Sequence, residues 1–315
     1  MTSYPIDPEL LSFAGINAPL GKLSALASEP LLGALPTFID RSRVTHERRE
    51  VAAPDGRAIP LHVIAPVGAE DEVLPCLYYI HGGAFLHKAI PTHYRLMQEY
   101  ATRVRLRVVA VDYGLVPRHV YPEPVTDCLL GLAYVYEHAT ELRIDPTRVV
   151  MGGDSAGGSL TLDTWLEAAK AARAAKGDRG VALVPHGFML VYPVVDHRGL
   201  TASMQRFTDT PIWNGLKNER MWTWYLEGPG GGAYRSPLQR SEEFSGLTCA
   251  FVEIEEFDCL HDEGAQMANV LEAAGVAVSL RDNPATYHGF DFHEHAAITK
   301  ESVAARVAWL EKALV

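Results

Sequence analysis

The stretch RVVMGGDSAGGS (148–159) decides the fold of this chain. Its apolar first half predicts a β-strand, and the residues that follow, SLTLDTWLEAAKAARAAK (159–176), predict a helix. Between them lies Gly-x-Ser-x-Gly, in which Gly153 and Gly157 allow strand and helix to approach closely around Ser155. Such a turn exposes a hydroxyl above a sheet, and the helix N-terminus directs N–H groups at the same point. We therefore predict that Ser155 is a nucleophile rather than an incidental serine in a glycine-rich turn.

Strand-like and helix-like segments alternate on both sides of this turn. Near-continuous apolar strands separated by helices are typical of an α/β fold with a mostly parallel central sheet and helices on both faces. Further strands are predicted in two runs within 46–66, around the turn at 54–56, and at 75–80, 106–113, 186–196, 248–258 and 276–283. Further helices are predicted at 123–141, at about 262–274 and at 298–314.

Composition limits the classes of function. The 315 residues are 48% hydrophobic and 21% charged, the balance of an ordinary globular protein. Lys and Arg total 28 against 39 Asp and Glu, so the net charge is −11. An acidic chain repels phosphate backbones and anionic lipid, so nucleic acid and membrane surfaces are not expected as main partners.

Cysteine spacing and hydropathy point to a protein without a disulfide framework or a metal. The four cysteines are far apart and show no Cys-x-x-Cys spacing, so no zinc site is predicted. The first residues lack the basic and apolar regions of a signal peptide, and no apolar run reaches the length of a membrane span. We expect a cytoplasmic location.

Two segments stand apart from the alternating pattern. Residues 1–45 are broken by prolines and predict short helices and turns, an N-terminal cap segment preceding a catalytic domain at 46–315. Residues 197–240 hold Trp213, Trp222, Trp224 and Tyr225 between turn-rich ends. These aromatics either pack on the body of the protein or form a lid over the carboxyl ends of the strands, where open α/β sheets bind ligands. The two interpretations are compatible.

A second glycine-rich turn, His81-Gly82-Gly83-Ala84-Phe85, directly follows the strand PCLYYI (75–80). Consecutive backbone N–H groups converge on one oxygen only where side chains do not intrude. Upstream of Ser155, this turn is the expected place for the other half of an oxyanion hole. Ala84 is acceptable there because its amide, not its side chain, would be the donor. The His81 side chain is expected to brace the loop.

Five segments together resemble a known family. HGGAF (81–85), VDYGLVP (111–117), GDSAGG (153–158), EEFDCLHDEG (255–264) and YHGF (287–290) resemble the bacterial hormone-sensitive-lipase-like carboxylesterases, GDSAG subgroup, of the α/β-hydrolase superfamily. The resemblance implies an α/β-hydrolase fold with a helical cap, a small-molecule ester substrate and no cofactor. Members of this family often form homodimers. The chain departs from the family pattern at Ala84, at Gly114 and Arg118, and at Cys259, and none of these departures removes a catalytic group.

A serine nucleophile needs a base and a group that orients the base, and in this fold they follow in the order nucleophile, acid, base. The acid candidates near the end of the penultimate strand are Glu253, Glu255, Glu256, Asp258 and Asp262, and the resemblance places the acid at Asp258. The base candidates beyond the last strand are His288, His293 and His295, and the resemblance places the base at His288, before Gly289-Phe290.

The resulting hypothesis is a serine carboxylesterase that hydrolyses short-chain esters through an acyl-enzyme. An amidase or acyltransferase with the same triad, and a non-catalytic receptor, are the alternatives, although a receptor would normally have lost the base. The predicted triad is Ser155, Asp258 and His288. The predicted oxyanion hole comprises Gly83, Ala84 and Ala156 with Gly82 supporting the turn, and the predicted pocket residues are Phe85, Trp213 and Trp222.

Overall fold

An eight-stranded sheet forms the centre of the described part of the chain, which in this computed structural model comprises residues 4–15, 17, 20–22, 38–174 and 184–315. In chain order the strands are β1 (Val44–Ala52), β2 (Ala58–Pro66), β3 (Leu74–Ile80), β4 (Arg107–Val111), β5 (Ile144–Asp154), β6 (Gly187–Val191), β7 (Cys249–Glu255) and β8 (Ala277–Asn283). They lie side by side as β1-β2-β4-β3-β5-β6-β7-β8. The β1–β2 and β2–β4 pairs are antiparallel and the others parallel, which confirms the predicted sheet.

Helices cover both faces of this sheet. Tyr78 and Tyr79 are neighbours in β3 and therefore point to opposite faces. The Tyr78 hydroxyl donates to the Cys128 carbonyl at 2.8 Å on one face, whereas the Tyr79 ring lies 6.5 Å from the Tyr100 ring on the other. The helices are α1 (Pro91–Val104), which contains Tyr100, α2 (Glu123–Glu137), which contains Cys128, α3 (Ala156–Ala174), α4 (Ala202–Arg206), α5 (Gly215–Tyr225), α6 (His261–Ala273) and α7 (Ala297–Ala313).

The inner strands form the core. Every residue of β3, β4 and β6 is buried, because these strands have neighbours on both sides and helices on both faces. The edge strands β1 and β8 are mostly exposed. The carboxyl ends of β5, β7 and β8 lie at one edge of the sheet, since these strands run parallel. Loops that follow them therefore meet at that edge.

Two details differ from the sequence-based expectation. Strand β6 ends at Val191 rather than near residue 196, and the chain turns there around Pro193, which has no N–H for a sheet ladder. Helix α1 was not predicted. It begins at Pro91, a favourable first helical position, and ends at Val104, followed by Arg105 in a left-handed conformation with φ of 56°.

The 197–240 segment contains α4, α5 and a short 3₁₀ turn at Gly231–Ala233, and a second 3₁₀ turn, Pro237–Glu243, extends past its end. N-terminal residues contact it: the Tyr4 hydroxyl donates to Asp209 at 2.6 Å, and Arg220 donates to the Leu20 carbonyl at 3.2 Å. The rest of the predicted 1–45 segment, namely 1–3, 16, 18–19 and 23–37, lies outside the described residues. Within the described ranges, no helix is long and apolar enough to cross a membrane.

Candidate active site

Ser155 occupies the tight turn between β5 and α3. Its φ of 52° is a left-handed conformation that costs a non-glycine residue roughly 1–3 kcal/mol. The Ser155 amide donates to the Val191 carbonyl at 2.9 Å, and its carbonyl accepts from the Val194 amide at 3.0 Å. A Cβ on Gly153 would overlap the Gly157 carbonyl, and a Cβ on Gly157 would overlap the backbone of β3. Both glycines are therefore sterically required by the turn.

Three buried side chains form a continuous hydrogen-bonded chain at this turn. His288 Nε2 lies 2.9 Å from Ser155 Oγ, and His288 Nδ1 lies 2.7 Å from Asp258 Oδ2. The other oxygen of Asp258 accepts from the Leu260 amide at 3.0 Å, which holds the carboxylate in place. A proton on Nδ1 satisfies Asp258 and leaves Nε2 free to accept the serine proton. The residues come from the loops after β5, β7 and β8.

The other carboxylates considered in the sequence analysis all have partners elsewhere. Burial raises the pKa of Glu255 well above its ordinary value, and this carboxyl accepts from the Thr286 hydroxyl at 2.6 Å and from the Asn283 side-chain amide at 3.3 Å. Buried Glu253 binds Arg306, Glu256 accepts from the Ala285 amide at 2.7 Å, and Asp262 accepts from the Ser203 amide at 2.8 Å. Of the acid candidates, only Asp258 hydrogen-bonds to His288 among the described residues.

The other histidines considered in the sequence analysis lie outside the hydrogen-bonded chain of Ser155, His288 and Asp258. His293 Nε2 is 2.8 Å from the Tyr287 hydroxyl, and the His295 side chain is 90% exposed. The His81 ring stacks on Tyr113 with ring centroids 4.5 Å apart. Burial and the neighbouring His93 lower the pKa of His81 to about 4, so its ring is neutral.

The turn after β3 faces the serine. Gly83 and Ala84 line the same cavity as Ser155, and both have positive φ values, 116° and 59°. A Cβ on Gly83 would press against the His87 carbonyl, so glycine is required there. Ala156 begins α3, and the first N–H groups of a helix have no intrahelical acceptor. The Gly82 amide, by contrast, donates to Asp154 at 3.0 Å.

Asp154 ties the two turns together, a role that the sequence analysis did not assign. Its Oδ1 accepts from the Tyr79 hydroxyl at 2.7 Å and from the Gly82 amide, and its Oδ2 accepts from His93 Nε2 at 3.1 Å. Burial alone would raise the pKa of Asp154, but His93 and the hydrogen bonds outweigh it and hold this pKa below its ordinary value. An acidic residue at the end of an apolar strand was the available signal, because a buried carboxylate requires donors.

Comparison with known proteins agrees with this geometry. The sequence profile of a protein family described as 'alpha/beta hydrolase fold' matches residues 77–292 of this chain. This chain belongs to the α/β-hydrolase family. It is 32% identical over 284 residues to carboxylesterase NlhH of Mycobacterium tuberculosis, covering 89% of this chain and 85% of that protein. It is also 32% identical over 252 residues to an ethyl acetate hydrolase of Pseudomonas putida, covering 79% of this chain and 76% of that protein.

Solved esterase structures match nearly the whole chain. Esterase LipW from Mycobacterium marinum superposes with a TM-score of 0.85 at 29% identity, covering 98% of this chain and 96% of that one. A bacterial heroin esterase superposes with a TM-score of 0.84 at 29% identity, covering 100% of both chains. The predicted resemblance to hormone-sensitive-lipase-like carboxylesterases is confirmed, and the protein is a carboxylic ester hydrolase.

A cavity of about 330 Å³ opens beside the serine of this hydrolase. Of the three predicted pocket residues, Trp213 lines this cavity, with its ring 6.0 Å from that of His288. The other two predicted pocket residues are not part of its lining: Phe85 stacks on Tyr225 at 3.9 Å, and Trp222 packs against the same pair. Residues that the sequence analysis did not single out complete the wall, among them Lys88, Ile90, Tyr192, Ile212, Lys217 and Phe292.

A buried ionic network supports the loop that carries His288. The Tyr192 ring packs 4.6 Å from the His288 ring, and the Tyr192 hydroxyl donates to Asp291 at 2.9 Å. Asp291 accepts from Arg306 of α7 at 2.9 Å, and Arg306 also binds Glu253 of β7. Contact with the two carboxylates raises the pKa of Arg306 despite its burial. The network therefore ties the loop after β8 to the sheet and to α7.

Proposed function

We propose that this protein hydrolyses short-chain carboxylic esters through an acyl-enzyme formed on Ser155, with His288 as the base and Asp258 as its partner. The observation that carries the proposal is the chain of contacts from Ser155 Oγ to His288 Nε2 at 2.9 Å and from His288 Nδ1 to Asp258 at 2.7 Å. A hydroxyl alone is a weak nucleophile near neutral pH, and this arrangement supplies both a base and its orientation.

The reaction has two halves. In the first, Ser155 Oγ attacks the ester carbonyl while His288 Nε2 takes the hydroxyl proton, and the same proton passes to the departing alcohol. In the second, water attacks the acyl-serine, His288 takes a proton from the water, and Ser155 Oγ leaves with that proton as the acid is released. Asp258 holds the proton of Nδ1 and stabilises the imidazolium during both halves.

The negative charge that develops on the carbonyl oxygen is bound by backbone amides. We assign this role to Gly83 and Ala84, which line the cavity, and to Ala156 at the start of α3. Preorganised N–H donors bind the oxygen more strongly when it carries negative charge in the transition state than in the ground state. Removal of one such donor typically lowers kcat by about 10²–10³-fold.

The cavity supports a preference for short acyl groups. Its volume of about 330 Å³ is at the lower end of the range of about 300–1,000 Å³ for small-molecule sites. Each buried CH₂ adds about 0.8 kcal/mol of binding until the space is filled, after which overpacking costs about 1–3 kcal/mol. We also propose that residues 1–45 and 197–240 form one cap over this cavity, because the described N-terminal residues contact the second segment.

Fluorophosphonate labelling tests the assignment, because it reports on the activated serine independently of substrate choice. The wild type should be labelled on Ser155 and should hydrolyse p-nitrophenyl butyrate, whereas Ser155→Ala and His288→Ala should lose both properties. His295→Ala is the matched control, since that side chain is exposed, and it should stay within about threefold of wild type. A Ser155→Ala variant that retains a tenth of the wild-type kcat would refute the assignment.

Assembly and location are the remaining parts of the proposal. The family resemblance favours a homodimer, and the net charge of −11 disfavours a nucleic acid partner. We propose a cytoplasmic location on the sequence pattern alone. Light scattering on the purified protein would decide between monomer and dimer, and cell fractionation would decide the location.

A further inference from the structure

Two lysines line the cavity beside the serine. Lys88 follows the oxyanion turn, and Lys217 lies in the first turn of α5, so they approach the cavity from two different segments. Both side chains are partly buried. Among the described lining residues, the only carboxylate is Asp154. An ester as such needs no cation for binding, so the presence of two lysines in the lining is not explained by the hydrolysis of a neutral ester.

Lys217 is fixed at the cavity wall. Its Nζ donates to the Ile212 carbonyl at 2.7 Å, and its backbone amide donates to Asn214 Oδ1 at 3.2 Å. Ile212, which also lines the cavity, has a φ of 60° and so presents its carbonyl from an uncommon backbone conformation. No carboxylate of the described residues lies within ion-pair distance of Lys217. Two of its three N–H donors therefore remain for another partner.

Lys88 is also without an ion pair among the residues that the structure describes. Lys88 also lines a second, smaller cavity together with Asp112, a carboxylate that accepts from His62 Nε2 at 3.4 Å. Asp154, the carboxylate in the cavity wall, accepts from three other donors and forms no ion pair with either lysine. In a chain with a net charge of −11, a cavity lined by two lysines that form no ion pair with any described residue is a local reversal of charge.

We propose that Lys88 and Lys217 bind a carboxylate carried by the ester substrate, so that this hydrolase prefers anionic esters over neutral ones. The proposal rests on the proposed function, because it concerns the same cavity and serine. An ammonium group recognises a carboxylate by charge-assisted hydrogen bonds, and the apolar cavity wall reduces competition from water. The carboxylate belongs either to the acyl half, as in a half-ester of a dicarboxylic acid, or to the alcohol half, as in an ester of a hydroxy acid.

Matched substrate pairs test this preference. For the acyl half, monomethyl glutarate is compared with its neutral amide analogue, methyl glutaramate. For the alcohol half, 3-acetoxybenzoate is compared with 3-acetoxybenzamide. Initial rates are measured in a pH-stat at low ionic strength. In at least one pair, the wild type should show a kcat/KM about tenfold or more higher for the anion, and added salt should reduce this ratio by screening.

Lysine variants then locate the preference. Lys88→Gln and Lys217→Gln should each lower the anion-to-amide ratio by about fivefold, mainly through a higher KM for the anion, because a neutral side chain of similar length loses the charge-assisted bond. Lys170→Gln is the control. Lys170 is an exposed residue of α3 that pairs with Glu167 and does not line the cavity, so its ratio should equal that of wild type.

Two results would overturn the inference. One is a wild-type ratio of one or below for both substrate pairs, which requires no variant to fold. The other is a wild-type preference that persists unchanged in both lysine variants. If either occurs while p-nitrophenyl butyrate is still hydrolysed, only this inference fails. If the wild type is neither labelled at Ser155 nor active on any ester, the proposed function itself fails.

Discussion

Replacement of Asp154 by asparagine tests how the oxyanion turn is held beneath the cavity. Asp154 accepts from three donors: the Tyr79 hydroxyl, the Gly82 amide and His93 Nε2. If the oxygen of the new side-chain amide takes the place of Oδ1, its NH₂ group takes the place of Oδ2. The NH₂ group then faces the Nε2–H of His93, so that two donors meet. The His93 proton cannot move to Nδ1 without opposing the Ile90 amide, which donates to Nδ1 at 2.9 Å. In the reverse orientation, the NH₂ group would take the place of Oδ1 and face the backbone N–H of Gly82, which is also a donor.

The magnitude follows from this count of donors. A hydrogen bond to a charged group contributes about 1.5–3 kcal/mol and one to a neutral group about 1 kcal/mol, so the two surviving bonds of Asp154→Asn weaken by about 1 kcal/mol each. The unpaired buried donor costs a further ~1–3 kcal/mol. Removal of a buried charge offsets part of this loss. We expect a net decrease of about 2–4 kcal/mol in the free energy of unfolding.

The Asp154→Asn substitution should also lower kcat. Gly82 precedes the proposed donors Gly83 and Ala84, so a displaced Gly82 misplaces both. Because complete loss of one oxyanion donor costs about 10²–10³-fold, we expect kcat to fall about 10–100-fold, with KM changed by only a few-fold. Urea unfolding and initial rates on p-nitrophenyl butyrate measure the two effects. Asp71→Asn, on a side chain that is 94% exposed, is the matched control. An Asp154→Asn variant with kcat and stability equal to those of the control would refute the reasoning.

Three further predictions concern the triad, a buried acid and the cavity. Asp258→Asn should lower kcat by about 10³–10⁴-fold, because the amide favours the wrong tautomer of His288, whereas Asp262→Asn should stay within a few-fold in the same assay. Burial raises the pKa of Asp163 to about 7, so the folded protein binds a proton that the unfolded chain releases near pH 4, and stability falls as pH rises from about 4 to about 7. Relative to Asp163→Asn, the wild type should therefore lose about 2–3 kcal/mol of unfolding free energy between pH 5 and pH 8; a constant difference across this range would contradict the sign. Among p-nitrophenyl esters, butyrate should be hydrolysed faster than palmitate, and the opposite order would indicate a lipase.

The sequence predicts most of the fold and the polar centre of the site because these depend on local rules. The turn around Ser155 requires small residues at fixed spacing, and this requirement is visible as Gly153 and Gly157. The order of acid and base follows from parallel strands whose carboxyl ends meet at one edge of the sheet. The placement of Asp258 and His288 beside Ser155 accords with that reasoning.

What the sequence does not predict depends on contacts between distant segments. Helix α1 buries Tyr94, Met97 and Ala101 at helical spacing, a signal that the sequence analysis missed. The contact of His93 with Asp154, 61 positions away, is by contrast not visible in the sequence. Phe85 was expected in the cavity wall, but its positive φ of 58° directs the chain so that the ring stacks on Tyr225. A side-chain direction in such a loop is set by tertiary packing, and residue type alone does not determine it.

The network around Arg306 has a consequence for biosynthesis. Helix α7 is translated after Ser155, Asp258 and His288, yet its Arg306 holds Asp291 and, through Tyr192, the loop that carries the histidine. A nascent chain that already contains all three triad residues therefore still lacks the guanidinium that anchors this loop. Hydrolytic activity should therefore emerge only after α7 has left the ribosome and docked.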